Sequence, residues 1–273
     1  MDGRLPATPR SVLASPAGTD YYCFFTECTG STMDDARRLS RLHPNGVLVA
    51  DRQTAGRGRL AGRRWDAAAG EALLMTIWFR PVPQSADSAT GTVPAPLPLL
   101  VGLALVEACQ AWAASQRTAF AHTMSIKWPN DILCGNHKLA GILCESAGDC
   151  RYVGIGLNCG QRHFDDSFST KPTSLAIETG QSPDRNSLVE LILVSMDTRI
   201  RRPGNWAAEL NALLAWKGSP VCFVPGHDAT TAAIHGRLAG IDDAGGLILE
   251  TKGGYCTYVS GELKLVIDAG TKA

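Results

Sequence analysis

Residues 97–114 are apolar along almost their whole length, interrupted only by Glu107 and Gln110. A helix that is apolar on every side must be enclosed, either by packed protein or by lipid. The two polar interruptions argue against a membrane span, so the segment is expected as a buried helix. The chain must therefore surround it, and 273 residues supply a large enough core. Strand-like runs stand on both sides. Residues 21–26 are rich in aromatics, while 46–50 (GVLVA) and 72–79 (ALLMTIWF) are unbroken apolar runs. Residues 125–128, 138–145 and 152–158 are short β segments separated by Asn-Asp, Gly-Asn and Gly-Asp turns.

Helices punctuate these strands. Ser31 and Thr32 precede Asp34 and Asp35, and Ala36, Leu39 and Leu42 recur at helical spacing up to His43-Pro44. Residues 186–200 and 205–216 also read as helices. Residues 81–96 are a Pro/Ser/Ala/Thr-rich connection expected as an exposed loop. From Lys217 only short β runs remain (220–224, 233–239, 247–250, 255–259, 263–266), the pattern of a small barrel. The expected organisation is a loose tail over 1–20, an α+β domain over 21–216 and a small β domain over 217–273.

Charge and cysteine usage narrow the function. The chain balances 26 Lys and Arg against 26 Asp and Glu, which does not suit a general nucleic-acid binder. Nine scattered cysteines with no CxxC pair indicate neither a disulfide framework nor a zinc site. Reduced thiols and the lack of an apolar leader point to a cytoplasmic protein with no membrane partner.

Against that balance, residues 51–65 (DRQTAGRGRLAGRRW) hold five arginines and three glycines. Arginine offers a planar fork of donors to carboxylate or phosphate, and glycine lets backbone approach a ligand closely. The run can be a solvated loop, a nucleic-acid contact or a wrap around a small anion. Four other segments have similar double readings. Gly30-Ser31-Thr32 is an ordinary helix cap or a site for polar ligand atoms. Lys127-Trp128-Pro129-Asn130-Asp131 is a strand ending in a turn, or a cation beside an aromatic face. Lys138 opens an apolar strand, as a solvated end or as a lone cation. In Gly154-Ile155-Gly156-Leu157-Asn158 the glycines allow close packing or leave room for a ligand.

Taken in order, GST, QTAGRGR…GRRW, KWPNDIL, KLAGIL, VGIGLN and TSLAIETG resemble the biotin protein ligases, over about residues 25–178, and the tail ending in SGELKL resembles that family's C-terminal domain. The resemblance implies a mixed β-sheet with packed helices, like class II aminoacyl-tRNA synthetases, plus a small C-terminal SH3-like β-barrel. It implies biotin and ATP as substrates with Mg2+, an adenylate intermediate, and transfer to a lysine of a biotin carboxyl carrier protein. On the same basis Ser31, Thr32 and Gln53 would hold the ureido head of biotin, beside Met33. Gly56, Arg57, Gly58 and Arg59 would form a loop that orders over the ligand, with Arg57 and Arg59 catalytic. Lys138 would bridge the biotin carboxylate and the α-phosphate. Trp65 and Asn158 would meet adenine, and Lys127, Asn130, Asp131, Gly141 and Gly156 would complete the binding set. No side chain is assigned to the metal.

Three departures qualify the match. Leu60 and Ala61 stand where the family usually has one residue, Met33 stands where asparagine is frequent, and only about twenty residues precede Tyr21, too few for the DNA-binding domain of some members. No nucleic-acid partner is expected. Relatives of this kind often pair through sheet edges, so a homodimer stays open. The alternatives are a lipoate or octanoyl ligase or transferase of the same broad fold, and a biotin-responsive binding protein without turnover.

Overall fold

The structure, a computed structural model, describes residues 8–14, 19–60, 62–81, 96–165, 170–226 and 232–266. The first half of the chain builds one side of a large sheet. Strands β1 (Ser11–Ala14) and β2 (Asp20–Thr29) lead to helix α1 (Thr32–Leu39), followed by β3 (Gly46–Gln53) and β4 (Ala72–Phe79). After α2 (Leu97–Ser115), β5 (Met124–Lys127), β6 (Asp131–Cys134), β7 (His137–Ala147) and β8 (Cys150–Asn158) complete it. The order is β1-β2-β3-β4-β8-β7-β6-β5. Only β2 and β3 run parallel, which is what a helical crossover such as α1 permits. The sheet is therefore mixed, as expected.

Alternation along the strands sorts side chains to two faces. One face carries Phe24, Leu48 and Trp78 against Met33, Ala36 and Leu39 of α1. The other carries Leu73, Met75, Ile77, Val153 and Leu157 against α2. Helix α2 is buried on almost every side, and its two polar interruptions lie outward: Gln110 is exposed and Glu107 pairs with Arg199. It is long and apolar enough to cross a membrane, yet most of it is covered by protein. Helices α3 (Leu175–Thr179), α4 (Arg185–Arg201) and α5 (Trp206–Leu213) follow, α4 and α5 packing against α2.

The remaining strands, β9 (Pro220–Pro225), β10 (Ile234–Ile241), β11 (Leu247–Thr251), β12 (Gly254–Tyr258) and β13 (Gly261–Leu265), form an antiparallel sheet ordered β12-β11-β10-β9-β13. The expected barrel is corrected to an open five-stranded sheet. The end strands β12 and β13 do not pair among the described residues, and β12 is solvent-exposed along most of its length. Closure is not needed to bury its apolar side, because Val221, Phe223, Leu238, Leu247, Leu249 and Leu263 join the core around α2.

Other expectations shift locally. Residues 11–14, placed in a loose tail, pair with β2 through Ser11↔Cys23 to Ala14↔Asp20. Asp131, read as a turn residue, begins β6, because Lys127 and Asp131 pair across a tight hairpin. The helix expected over 205–216 ends at Leu213, and Trp216 has a φ of 64°, which helix cannot continue through. Most of the loop expected over 81–96 lies outside the described residues.

Candidate functional site

A cavity lies on the α1 face of the large sheet, and glycine makes its floor. On that face β8 presents Tyr152, Gly154, Gly156 and Asn158 in turn, and Gly141 of β7 is in register with Gly156. A Cβ on Gly156 would stand 2.5 Å from the Trp65 indole, and one on Gly141 would stand 3.1 Å from it. A Cβ on Gly154 would stand 3.0 Å from Cε of Met33. The absent side chains are thus replaced by two large groups brought from α1 and from the Arg/Gly loop.

The inner end is neutral. Ser31 occupies the cap position of α1 without a side-chain capping bond, contrary to a purely structural role, and is buried. The backbone N–H and hydroxyl of Thr32 both donate to Oε1 of Gln53, at 2.8 and 3.0 Å. The fully buried Thr76 donates its hydroxyl to Oγ1 of Thr32 at 2.9 Å. With its oxygen engaged twice, Gln53 keeps its amide NH2 to offer elsewhere.

The mouth is charged. The Arg/Gly loop folds back as a hairpin, with Arg57 bridged to Arg64, the Gly58 N–H donating to Arg63 O at 2.9 Å and the Trp65 N–H donating to Gly56 O at 3.2 Å. The Leu60 carbonyl accepts from Arg63 N–H at 3.2 Å. Arg57 grips Asp34 of α1 with two parallel bonds of 2.9 and 2.7 Å. That contact holds the Asp34 carboxyl below its usual pKa and raises the Arg57 guanidinium. Arg59 donates to Gly261 O at 2.6 Å, and Arg63 pairs with Glu262. Burial pushes the pKa of Arg59 down.

Lys138 faces the cavity with Nζ 2.7 Å from Asp131 and 5.7 Å from the centre of the Trp65 ring. Its backbone is clamped on both sides: its N–H donates to Lys171 O at 2.8 Å and its carbonyl accepts from Thr173 N–H at 2.9 Å. This explains why a segment beginning near Thr173 belongs with the site. Lys127 is almost wholly buried, its Nζ 5.3 Å from the Trp216 ring centre, and burial depresses its pKa against the opposing pull of Asp131. Trp128 is a tether, its indole N–H donating to Gly245 O at 3.0 Å, and the Asn130 amide donates to Ile142 O at 2.8 Å.

Of the residues named from sequence, Ser31, Thr32, Met33, Gln53, Arg57, Gly58, Arg59, Trp65, Lys127, Asn130, Asp131, Lys138, Gly141 and Gly156 line this one cavity. Gly56 and Asn158 do not. A Cβ on Gly56 would lie 2.7 Å from Trp65 O, so Gly56 serves the hairpin's close approach. Asn158 donates its amide to Thr173 O at 2.8 Å and Lys138 O at 3.4 Å, bracing Lys138 from behind. Residues missed from sequence include Thr76, Glu262 and Leu263, while Gly154, read only as part of a strand with room beside it, joins the lining. Thr76 had a signal, as the one polar side chain in an otherwise apolar run. Glu262 and Leu263 had none, since only tertiary packing brings β13 to the mouth.

The arrangement can hold a small molecule by neutral hydrogen bonds at one end and neutralise anionic groups at the other. Comparison with known proteins agrees with such a ligand. The model of the biotin/lipoate A/B protein ligase family matches residues 22–161. A biotin–[acetyl-CoA-carboxylase] ligase of Mycobacterium tuberculosis is 34% identical over 243 residues, covering 86% of this chain and 85% of that one. The bifunctional ligase/repressor BirA of Bacillus spizizenii is 32% identical over 255 residues, 89% of this chain and 74% of its own length. Among solved structures, the biotin protein ligase of Aquifex aeolicus in complex with biotin and ATP has a TM-score of 0.69 at 26% identity, covering 90% of this chain and 99% of that one.

Proposed function

The chain belongs to the biotin/lipoate A/B protein ligase family, and from that premise we propose that it is an ATP-dependent biotin–protein ligase. It activates biotin as biotinyl-5′-AMP and passes the biotinyl group to a lysine of a carboxylase carrier protein. The observation that carries this reading is a single cavity joining a neutral hydrogen-bonding end to a cationic mouth, with Lys138 at the junction.

The chemistry follows from that division. The neutral ureido head of biotin suits Ser31, Thr32 and the free amide of Gln53, with Met33 filling the side. The carboxylate then points toward Lys138. In the first step a carboxylate oxygen attacks the α-phosphorus of ATP, the bond to the β-phosphate breaks and pyrophosphate leaves. Two anions must approach each other, so Lys138, Lys127, Arg57 and Arg59 act by neutralising charge that builds between them. Asp131 holds the Lys138 ammonium in place between turnovers, and a compact ammonium can turn from carboxylate to phosphate more readily than a guanidinium. In the second step the neutral amine of the carrier lysine attacks the acyl carbon, AMP departs and the surplus proton goes to solvent. The Arg/Gly hairpin keeps water from the mixed anhydride meanwhile.

Magnesium is proposed as a companion of the triphosphate. Among the described residues no group of three metal-binding side chains occurs, and the carboxylates at the mouth are engaged by Lys138 and Arg63, so phosphate oxygens would supply most of its ligands. We assign residues 21–216 as the catalytic domain and 217–273 as the counterpart of the family's SH3-like domain. The nine cysteines stand as free thiols, which suits the reducing cytoplasm as its place of work.

The test is incubation with ATP, magnesium, biotin and an apo carrier domain, read by streptavidin blot, with lipoate in a parallel arm read by the mass shift of the carrier. Biotin-dependent carrier labelling is expected. Labelling by lipoate alone would transfer the reading to the other branch of the family. Biotin-dependent thermal stabilisation without labelling would make it a binding protein.

A further inference from the structure

The Arg/Gly hairpin is tethered to two different parts of the molecule. The first arm holds α1 through Arg57 and Asp34. The hairpin also reaches across to the C-terminal sheet, Arg63 of the second arm pairing with Glu262 and Arg59 of the first donating to the carbonyl of Gly261. Glu262 is also an unusual occupant of an anion-binding cavity. Among the described residues only it and Asp131 bring a carboxylate to the lining, and a negative charge there opposes an anionic ligand. Asp131 has a partner within its own sheet in Lys138. Glu262 has its partner in the hairpin, so its unfavourable charge is explained by what it holds.

The strand that carries Glu262 is fixed. Gly261 lies so close over the Phe223 ring that a Cβ would come within 2.3 Å of it. Phe223 packs on Trp128, with ring centres 6.1 Å apart, and Trp128 donates to Gly245. A continuous series of contacts thus runs from the Lys127–Asp131 segment beneath the reacting groups, through the C-terminal sheet, to the hairpin above them.

We propose that Glu262 is a positioning residue that latches the hairpin to the C-terminal sheet, and that retention of the acyl-adenylate depends on this latch. The second half rests on the function proposed above; the first does not. The latch lets the C-terminal sheet set how long the mouth stays closed after pyrophosphate has left.

The experiment compares wild type, Glu262→Gln, Glu262→Asp, the single changes Arg63→Glu and Glu262→Arg, and the charge-swapped pair that combines those two. Trypsin cleavage after Arg59 or Arg64 in the free protein reports the latch without any ligand. Loss of preformed biotinyl-adenylate in a chase reports its consequence, and Tm reports the fold. For a partly exposed ion pair, Glu262→Gln should raise both cleavage and adenylate loss about fivefold with Tm nearly unchanged. Glu262→Asp should fall between, and the swapped pair should recover both readouts relative to either single change. Wild-type cleavage in Glu262→Gln, or a swapped pair no better than its singles, would overturn the latch. Normal adenylate retention beside raised cleavage would overturn its consequence. A wild type that forms no adenylate would instead remove the proposed function and with it the retention claim, while the trypsin comparison still decides the latch.

Discussion

At the inner end of the cavity Thr76, Thr32 and Gln53 form a short hydrogen-bonded chain between adjacent elements, with no charge involved. At the mouth Arg57, Arg59, Arg63, Lys127 and Lys138 converge from separate segments, restrained by Asp34, Glu262, Asp131 and the Gly261 carbonyl. The inner end is set by the register of β3 and β4 and the start of α1, so its geometry comes with the sheet. The mouth is set by pairings across long stretches of chain, one of them spanning 199 residues. Such pairs are individually weak and exchangeable, which suits groups that must release a carboxylate to take a phosphate. The neutral end sits where strand register fixes the fold, and the charged end where side-chain pairs can rearrange.

That division can be broken experimentally. The largest effect is expected from Lys138→Ala: adenylation should slow by about 100- to 1,000-fold, the range for removing one transition-state donor, while biotin still raises Tm. Loss of biotin binding together with turnover would mean that the two ends are one site. A smaller effect is expected from Gln53→Leu. It strips Thr32 of the acceptor for its buried donors, and biotin affinity should fall about 10- to 100-fold with adenylation at saturating biotin little altered. A collapse of kcat would show that the inner end also aligns the reacting carboxylate.

The smallest effect concerns Lys127 and sharpens the contrast. Burial lowers its folded-state pKa, so its charge opposes folding, fully below that pKa and progressively less as pH rises toward the ordinary lysine value. Lys127→Met should therefore raise stability at neutral pH, by about 1 kcal/mol or roughly 2 °C in Tm, with the gain fading in alkali. The same change should weaken the use of ATP. A Met variant less stable than wild type would show that Lys127 is held for structure instead.

The sequence made these two ends unequally legible. Segments of strong local character, such as the apolar run of β4, the turn-bounded β7 and β8 and the enclosed α2, were readable because periodicity and turn chemistry act over a few residues. The cavity floor was half readable: Gly156 beside Gly154 signalled missing side chains, but that Trp65 and Met33 fill the space depends on tertiary approach. Asn158 was assigned to ligand from its place in a motif, whereas its amide braces the Lys138 strand. Glu262 was invisible because nothing near it in sequence distinguishes a surface carboxylate from one that faces a cavity. The open C-terminal sheet was misjudged as a barrel for the same reason, since strand spacing does not reveal what covers a sheet's apolar side.

That covering has a consequence for cohesion. Phe223, Leu247, Leu249 and Leu263 lie in the same apolar cluster as Leu99, Leu103 and Trp128. The change of sequence character at Lys217 therefore falls inside a shared apolar core. Cutting the chain there would expose Trp128 and the start of α2 to water, leaving the larger sheet with an open apolar wound beside Lys127 and Lys138. The two sheets are best regarded as one cooperative unit that happens to be written in two styles of sequence.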